Sequence, residues 1–244
     1  MALVTGAGRG IGRVTAELLA SRGARVMAVS RSENELQTLG LDYVVADLGR
    51  QEDCARTVKE TRDRLGPVSI LVCNHGIGSA HERLIWEQDP EVWRESMRIN
   101  LDGPFYLSQL VLKDMIQMAY GRIVYTSSTA GQVAEYQGSA YTSSKHGLLG
   151  LMRSVAQDAS RFGITSNAVL PGWVRTEMSE TSAGTEARQR GITTDRVWEE
   201  RAALSPAGRV VTPAEVAEVI AFLASEEASG LNGEAITVAL GSLS

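Results

Sequence analysis

A glycine-rich turn joins the first apolar run of the chain to its first amphipathic run, and that junction restricts the fold more than any other feature. Residues 2–5, Ala-Leu-Val-Thr, read as a short strand; Gly6-Ala-Gly-Arg-Gly-Ile-Gly12 follows at once, and 14–22 has the apolar spacing of a helix. Glycines at a strand-to-helix turn let backbone N–H groups approach a phosphate closely, and the helix N-terminus adds its partial positive charge. Such a turn alone is weak support, but here a second strand, Arg25-Val-Met-Ala-Val, completes the unit. The alternation then continues. Apolar runs recur at 42–45, 69–73, 121–126, 165–170 and 234–238, with helical patterns at 51–65, 90–119, 139–162 and 213–224 between them. Thr212, Pro213 and Glu215 give the last helix an N-cap, a first-turn proline and a capping-box partner. Strands alternating with helices need crossover connections, which set the strands parallel and the helices on both faces. The expected architecture is α/β and doubly wound, with about seven parallel strands.

The length of 244 residues suits one large α/β domain or two small ones; with no Pro/Gly/Ser-rich linker, the chain reads as a single domain, 1–244. Residues 177–210 stand apart, polar and weakly periodic between a strand and a helix. An excursion of this kind forms a lid or specificity loop, or an ordinary pair of short helices. The net charge of −5 argues against nucleic acid or an anionic membrane as the main partner. No apolar run nears the ~20 residues that span a bilayer, and no signal peptide precedes the first strand. Cys54 and Cys73 are too few for a disulfide framework and lack metal-like spacing with the histidines. No metal is therefore expected, and a reducing, cytoplasmic setting is the default. The first strand starts almost at Met1, which predicts a weakly anchored strand start.

A second constellation carries chemistry. Tyr141 and Lys145 lie four apart in a run with helical spacing, so the phenol and the ammonium share one helix face. A phenol has an ordinary pKa of about 10, and a fixed cation nearby lowers it. Ser128 ends the strand-like run Arg122-Ile-Val-Tyr-Thr-Ser-Ser and presents a hydroxyl to the same space. Together these groups suit proton transfer to and from a carbonyl or alcohol oxygen. Tyr-x-x-x-Lys alone is also what chance leaves on a solvated helix face; the glycine turn upstream tips the balance.

Taken together, these motifs resemble the short-chain dehydrogenase/reductase family over nearly the whole chain. Thr5, Gly6, Gly10 and Gly12 match its Thr-Gly-x3-Gly-x-Gly turn, and Asn74-His75-Gly76 matches its Asn-Ala-Gly element with His in place of Ala. Asn100 matches its catalytic asparagine; Ser128, Tyr141 and Lys145 match its Ser/Tyr/Lys set; Pro171, Gly172, Val174 and Thr176 match its Pro-Gly-x-Val-x-Thr. The resemblance implies a Rossmann fold and an oxidoreductase, similar to 3-oxoacyl-carrier-protein and carbonyl reductases, that interconverts a ketone and a secondary alcohol by hydride transfer. It implies that Tyr141 is the acid in reduction, that Lys145 lowers the Tyr141 pKa and holds the nicotinamide ribose, that Ser128 binds the substrate oxygen, and that Asn100 holds a relay water. It also places Ile11 and the glycines at the cofactor, Asp47 and Leu48 near the adenine, Asn74 and Gly76 at the adenosine ribose region, and Val174 and Thr176 at the nicotinamide carboxamide. Asp47 could instead cap the helix that starts near Gln51.

The choice of cofactor rests on the ribose 2′ position, where a carboxylate suits NAD and arginines suit NADP. The position that carries Asp in NAD-preferring relatives is Ser30, Arg31 follows it, and Arg9 sits in the glycine turn. Two cations without the carboxylate point to NADP(H) over NAD(H). Substrate candidates are Gln132, Glu135, Tyr136, Trp173 and Met178, with Arg188 or Arg190 further out. They suit a small hydroxylated or cyclic ketone as well as an acyl chain. Carrier-protein reductases carry a basic cluster before the Gly-Arg-Ile-Val strand, whereas this chain reads Asp114-Met-Ile-Gln-Met-Ala-Tyr120. Readings beside a diffusible carbonyl substrate are a 3-oxoacyl-carrier-protein or polyketide reductase, and a non-catalytic NADP sensor, which would typically have lost the tyrosine or lysine. The resemblance also implies a homotetramer or homodimer built on 90–119 and 139–162.

Overall fold

The computed structural model describes residues 1–79, 81 and 83–242. Its strands are β1 (Ala2–Thr5), β2 (Val26–Ser30), β3 (Asp42–Val45), β4 (Ile70–Cys73), β5 (Gly121–Thr126), β6 (Ile164–Pro171) and β7 (Ala235–Val238). Among the described residues these seven form one sheet in the order β3-β2-β1-β4-β5-β6-β7, with every neighbouring pair parallel. The helices are α1 (Gly10–Ser21), α2 (Glu33–Gln37), α3 (Gln51–Leu65), α4 (Pro90–Met97), α5 (Gly103–Met118), α6 (Ser139–Ala159), α7 (Glu177–Arg190), α8 (Thr194–Ala203) and α9 (Pro213–Leu223). The doubly wound parallel sheet is thus the one the alternation predicts. The order in which strands are added reverses between β1 and β4, and the crevice outside the carboxyl ends of strands at such a switch point is where ligands bind.

Side chains alternate across the sheet with period two and fill two cores. Leu3, Met27, Leu71, Ile123 and Leu170 face α3, α5 and α6, whereas Val4, Ala28, Val72, Val124 and Val169 face α1 and α9. With both faces covered, the central strands are apolar throughout rather than alternating with polar residues.

Several details depart from the sequence reading. The helix expected over 90–119 is two helices, α4 and α5, joined by a π-helical turn at Arg98–Asp102. Pro104 explains the break: it has no N–H to donate, and its ring would strike the carbonyl of Asn100 in a regular helix. The short α2 was not foreseen; Leu36, fully buried, fixes it to the sheet. Residues 177–210 contain α7 and α8, and the two ends of the excursion are stitched together. Val174 and Val211 form a parallel bridge, and Val211 N–H donates to Trp173 O at 2.9 Å. The predicted capping box of α9, Thr212 with Glu215, is present, and Thr176 with Ser179 forms another at α7. The strand start is not weakly anchored: the Met1 ammonium donates to Ser69 Oγ (2.9 Å), and Ser69 and Ile70 N–H donate to Met1 O at 3.1 and 3.0 Å. Among the described residues no helix is long and apolar enough to cross a membrane.

Candidate active site

The candidate residues gather at the carboxyl ends of β1, β4, β5 and β6. In the first turn Gly6 and Gly10 take left-handed backbone angles (φ +63° and +54°), and Arg9 is the extended N-cap of α1. A Cβ on Gly12 would run into the Gly6 carbonyl, so only glycine lets α1 pack this close to β1. Thr5 ties this turn to the next loop. Its hydroxyl donates to Val72 O (3.1 Å) and accepts from the N–H groups of Asn74 (2.9 Å) and His75 (3.2 Å). His75 Nδ1 also lies 2.7 Å from Thr5 Oγ1, which ties the ring to the same hydroxyl. His75 Nε2 is buried and without a hydrogen-bond partner among the described residues. Burial, and secondarily the charge of Lys145, holds the His75 pKa down to about 3.

At the corner where the ribose 2′ position was expected, Ser30 Oγ exchanges hydrogen bonds with the backbone of Ser32, and Arg31 is exposed. The expectation of a corner without a carboxylate does not hold. Glu35 reaches back from α2, its Oε1 3.7 Å from Arg9 Nη1. A Cβ on Gly8 would collide with the other carboxylate oxygen and stand 2.9 Å from Ser30 Oγ. Asp47 accepts from Arg98 Nη1 (3.0 Å) and Gly49 N–H (3.2 Å), while Arg50 is the N-cap of α3, so Asp47 is not that helix's cap. Leu48 beside it is buried.

Lys145 and Asn100 form the buried floor. The Lys145 ammonium, 5% exposed, donates to Thr126 O at 3.0 Å and lies 5.6 Å from the centroid of the Tyr141 ring. Burial lowers its pKa from 10.5 to about 8. Asn100 sits in the π turn; its Oδ1 accepts from Ile77 N–H (2.8 Å) and its Nδ2 donates to Ile77 O and to Ser144 Oγ (both 3.0 Å). The carboxamide is therefore largely committed to protein, and a relay water on it would have the second lone pair of Oδ1. A side chain on Gly76 would enter that space, its Cβ 3.1 Å from Asn100 Oδ1 and 3.6 Å from Lys145 Nζ. Ser128 caps a short 3₁₀ turn, Thr129–Gly131, accepting from Ala130 N–H at 3.1 Å, whereas Ser127 donates to Lys145 O at 3.2 Å. Tyr141, two residues into α6, is half-buried.

The outer candidates divide. Thr176 caps α7, and a Cβ on Gly10 would meet its methyl group at 3.3 Å. Val174 is buried, and Gly172, following Pro171, packs against Ala239. Met178 reaches the loop after β4, its Sδ 3.4 Å from where a Gly78 Cβ would stand, and Glu135 accepts from Ser79 Oγ at 3.3 Å. Gln132 and Tyr136 are exposed, Tyr136 at 83%. Arg188 and Arg190 turn to their own surroundings, Thr185 for the first and Glu186 and Glu200 for the second. The Trp173 ring lies under the guanidinium of Arg201, 3.7 Å from ring centroid to Cζ. Sequence reasoning missed Arg201, Ser144 and Glu35; only Ser144, one helical turn from Tyr141, carried a readable signal.

A left-handed glycine turn, a helix N-terminus packed close behind it and the space before Asn100 and Lys145 that a side chain at Gly76 would enter fit a dinucleotide, and with the sheet they define a Rossmann-type oxidoreductase. Comparison with known proteins agrees. Residues 6–242 match the family model described as enoyl-(acyl carrier protein) reductase. The 3-oxoacyl-[acyl-carrier-protein] reductase of Vibrio cholerae is 36% identical over 98% of this chain and 95% of its own. Among solved structures, a variant of actinorhodin polyketide ketoreductase with NADPH superposes with a TM-score of 0.94 at 33% identity, covering 99% of this chain and 96% of that one. Levodione reductase gives 0.93 at 30% identity, covering 98% and 96%. The chain belongs to the short-chain dehydrogenase/reductase family, and it is an oxidoreductase that interconverts carbonyl and alcohol groups.

Proposed function

We propose that this protein is an NADP(H)-dependent reductase of ketones, reversible toward the secondary alcohol, with 1–244 acting as one cofactor-binding domain. The observation that carries the reading is the buried Lys145 ammonium beside the Tyr141 ring. When bound, the nicotinamide supplies the electron pair and hydrogen that the carbonyl carbon takes up. Ser128 donates a hydrogen bond to the carbonyl oxygen as charge develops there, and Tyr141 gives that oxygen its proton. The Lys145 cation stabilises the phenolate left behind. Asn100 and Lys145 hold the water that returns a proton from solvent.

Gly6, Gly10, Ile11 and Gly12 cradle the pyrophosphate; Asp47 and Leu48 border the adenine; Asn74 and Gly76 meet the ribose; Pro171, Gly172, Val174 and Thr176 line the nicotinamide side. Arg9, Ser30 and Arg31 receive the 2′-phosphate, a reading supported by the NADPH in the similar polyketide ketoreductase. Tyr141→Phe is expected to lower kcat by about a thousandfold or more while NADPH affinity, measured by fluorescence, stays within about threefold. Retained turnover overturns the assignment; tight NADPH binding by the wild type with no turnover on any ketone or alcohol favours a sensing role. Ser30→Asp is expected to move the kcat/KM ratio toward NADH.

The substrate is a diffusible ketone with polar substituents, held under α7 and α8 by Glu135, Trp173 and Met178, with Gln132 and Tyr136 at the rim. Cations near the place where an acidic carrier would dock have partners within the protein: Arg122 is buried against Glu226, Arg62 pairs with Asp114, and Arg161 stacks on Phe162. Similarity to the Vibrio cholerae enzyme favours a second reading, a 3-oxoacyl group on a carrier protein. Comparing kcat/KM for carrier-bound and free 3-oxoacyl substrates decides between them. Exposed Trp93, Phe105 and Ile116 on α4 and α5 suit a homodimer or homotetramer interface, which light scattering tests. The setting is cytoplasmic.

A further inference from the structure

The corner beside the glycine turn holds an acidic group that an NADP(H) site has no need of. Glu35 is fixed there by its neighbour in sequence: Leu36 is fully buried, which anchors the short α2 against the sheet. The Glu35 carboxylate rests against Gly8, in space that any side chain at that position would occupy, and Ser30 Oγ stands 2.9 Å from the same point. Its other oxygen lies 3.7 Å from Arg9 Nη1. One of the two cations assigned to the 2′-phosphate therefore already has an anionic partner.

We propose that Glu35 is a specificity-determining residue, one that weakens discrimination between NADP(H) and NAD(H) at this site. The proposal rests on the NADP(H) reading given above. A 2′-phosphate that reaches Arg9 must displace the Glu35 carboxylate or lie beside it, and either way meets a like charge. A 2′-hydroxyl carries no charge and finds in the same carboxylate a hydrogen-bond acceptor, as it does where a carboxylate follows the second strand. One group thus acts with opposite sign on the two cofactors. The pair is partly exposed, 54% for Arg9 and 34% for Glu35, so its influence is that of a screened surface charge at close range. That corresponds to about fivefold in affinity. Glu33, two residues earlier, accepts from Tyr43 Oη at 3.2 Å and provides an internal control with the same charge.

The test is direct binding of 2′,5′-ADP and 5′-AMP, measured by calorimetry on the full chain. These fragments carry the 2′ difference without the nicotinamide, so the readout does not depend on turnover. Glu35→Gln and Glu35→Ala are each expected to tighten 2′,5′-ADP about fivefold without tightening 5′-AMP, and raised salt should erode the gain. Glu33→Gln is expected to leave the ratio of the two affinities within about twofold of wild type. A ratio unmoved in both Glu35 variants, with wild type still preferring 2′,5′-ADP, overturns the role of Glu35 and leaves the NADP(H) reading intact. An equal shift in Glu33→Gln also overturns it, because the effect would then be one of net charge. A wild type that prefers 5′-AMP overturns the NADP(H) reading and this proposal with it.

Discussion

Two cations are buried in this protein to the same depth, Lys145 and Arg201, each 5% exposed, and the fold treats them in opposite ways. Arg201, on α8, is largely compensated, although burial still lowers its pKa. It pairs with Glu186 at 2.9 Å, donates to Ser182 Oγ and Ser179 O at 3.2 and 3.3 Å, and stacks on the rings of Trp173 and Trp198. Lys145, on α6, has the Thr126 carbonyl and, among the described residues, no carboxylate at ion-pair distance. Burial accordingly lowers its pKa to about 8, with no opposing charge to restore it. Both terminal nitrogens of the Arg201 fork are matched, Nε alone lacking a partner among the described residues, and the side chain is a strut that holds α7 to α8. A buried charge left unmatched costs stability in the free protein; on the function proposed above it is retained for partners that come and go, the ribose hydroxyls and a transient phenolate.

Replacing each cation with methionine tests that contrast. Lys145→Met is expected to lower kcat/KM by about a thousandfold or more, yet to stabilise the ligand-free protein at neutral pH. The sign follows from linkage. The folded pKa of about 8 lies below the ordinary 10.5, so between these values the unfolded chain binds more protons than the folded one. The penalty for burying the charge, on the order of 3 kcal/mol, is full below about pH 8 and is relieved as pH rises toward 10.5. The gap in Tm between variant and wild type should therefore close with rising pH. A variant less stable than wild type by a pH-independent amount breaks the comparison. Arg201→Met should do the reverse, losing about 2 kcal/mol in urea unfolding because two indole faces lose their partner and Glu186 is left with Arg190 alone. Its kcat should fall less than about tenfold, and Arg201→Lys should recover little, since an ammonium cannot serve the fork and both rings.

The same contrast marks what could be read in the sequence. Strands and long helices were legible because their apolar periodicity survives in one dimension, and Tyr141 and Lys145 were legible because a helix turn brings them together locally. Arg201 was not: its helix is polar, and although Trp198 lies one turn back on that helix, Trp173 is 28 residues away and joined to it only by the fold. Glu35 escaped for a similar reason, since the relevant carboxylate was sought at the end of β2 and arrives from the next helix. The π turn that carries Asn100 follows from Pro104, but its position depends on how α4 and α5 are each packed.

A smaller effect sharpens the contrast from the neutral side. His75 is partly buried in the same region, its Nε2 fully so, and with a pKa of about 3 against an ordinary 6.5 it stays uncharged where the unfolded chain takes up a proton. Stability should then fall with pH below 6.5, by about 2 kcal/mol on reaching about pH 5, and His75→Asn should flatten that limb. An acid limb of unchanged slope in the variant removes His75 as its source.

The smallest expected effect separates two adjacent hydroxyls. Ser127 donates to Lys145 O at 3.2 Å and is 4% exposed, so its proton is committed to holding α6 against the end of β5. Ser128 accepts from Ala130 N–H, and its own proton is not committed to a hydrogen bond among the described residues. The first hydroxyl is thus matched like Arg201 and the second available like Lys145. Ser127→Ala is expected to lose about 1 kcal/mol of stability, the ordinary net worth of one hydrogen bond, with kcat within about twofold of wild type. Gly131 keeps this region close-packed, since its Cβ would stand 2.7 Å from Ser127 Oγ and 3.1 Å from Lys145 O, so the gap left by the lost hydroxyl should stay small. A large fall in kcat with unchanged unfolding would move the catalytic hydroxyl to Ser127 and make Ser128 the structural member of the pair.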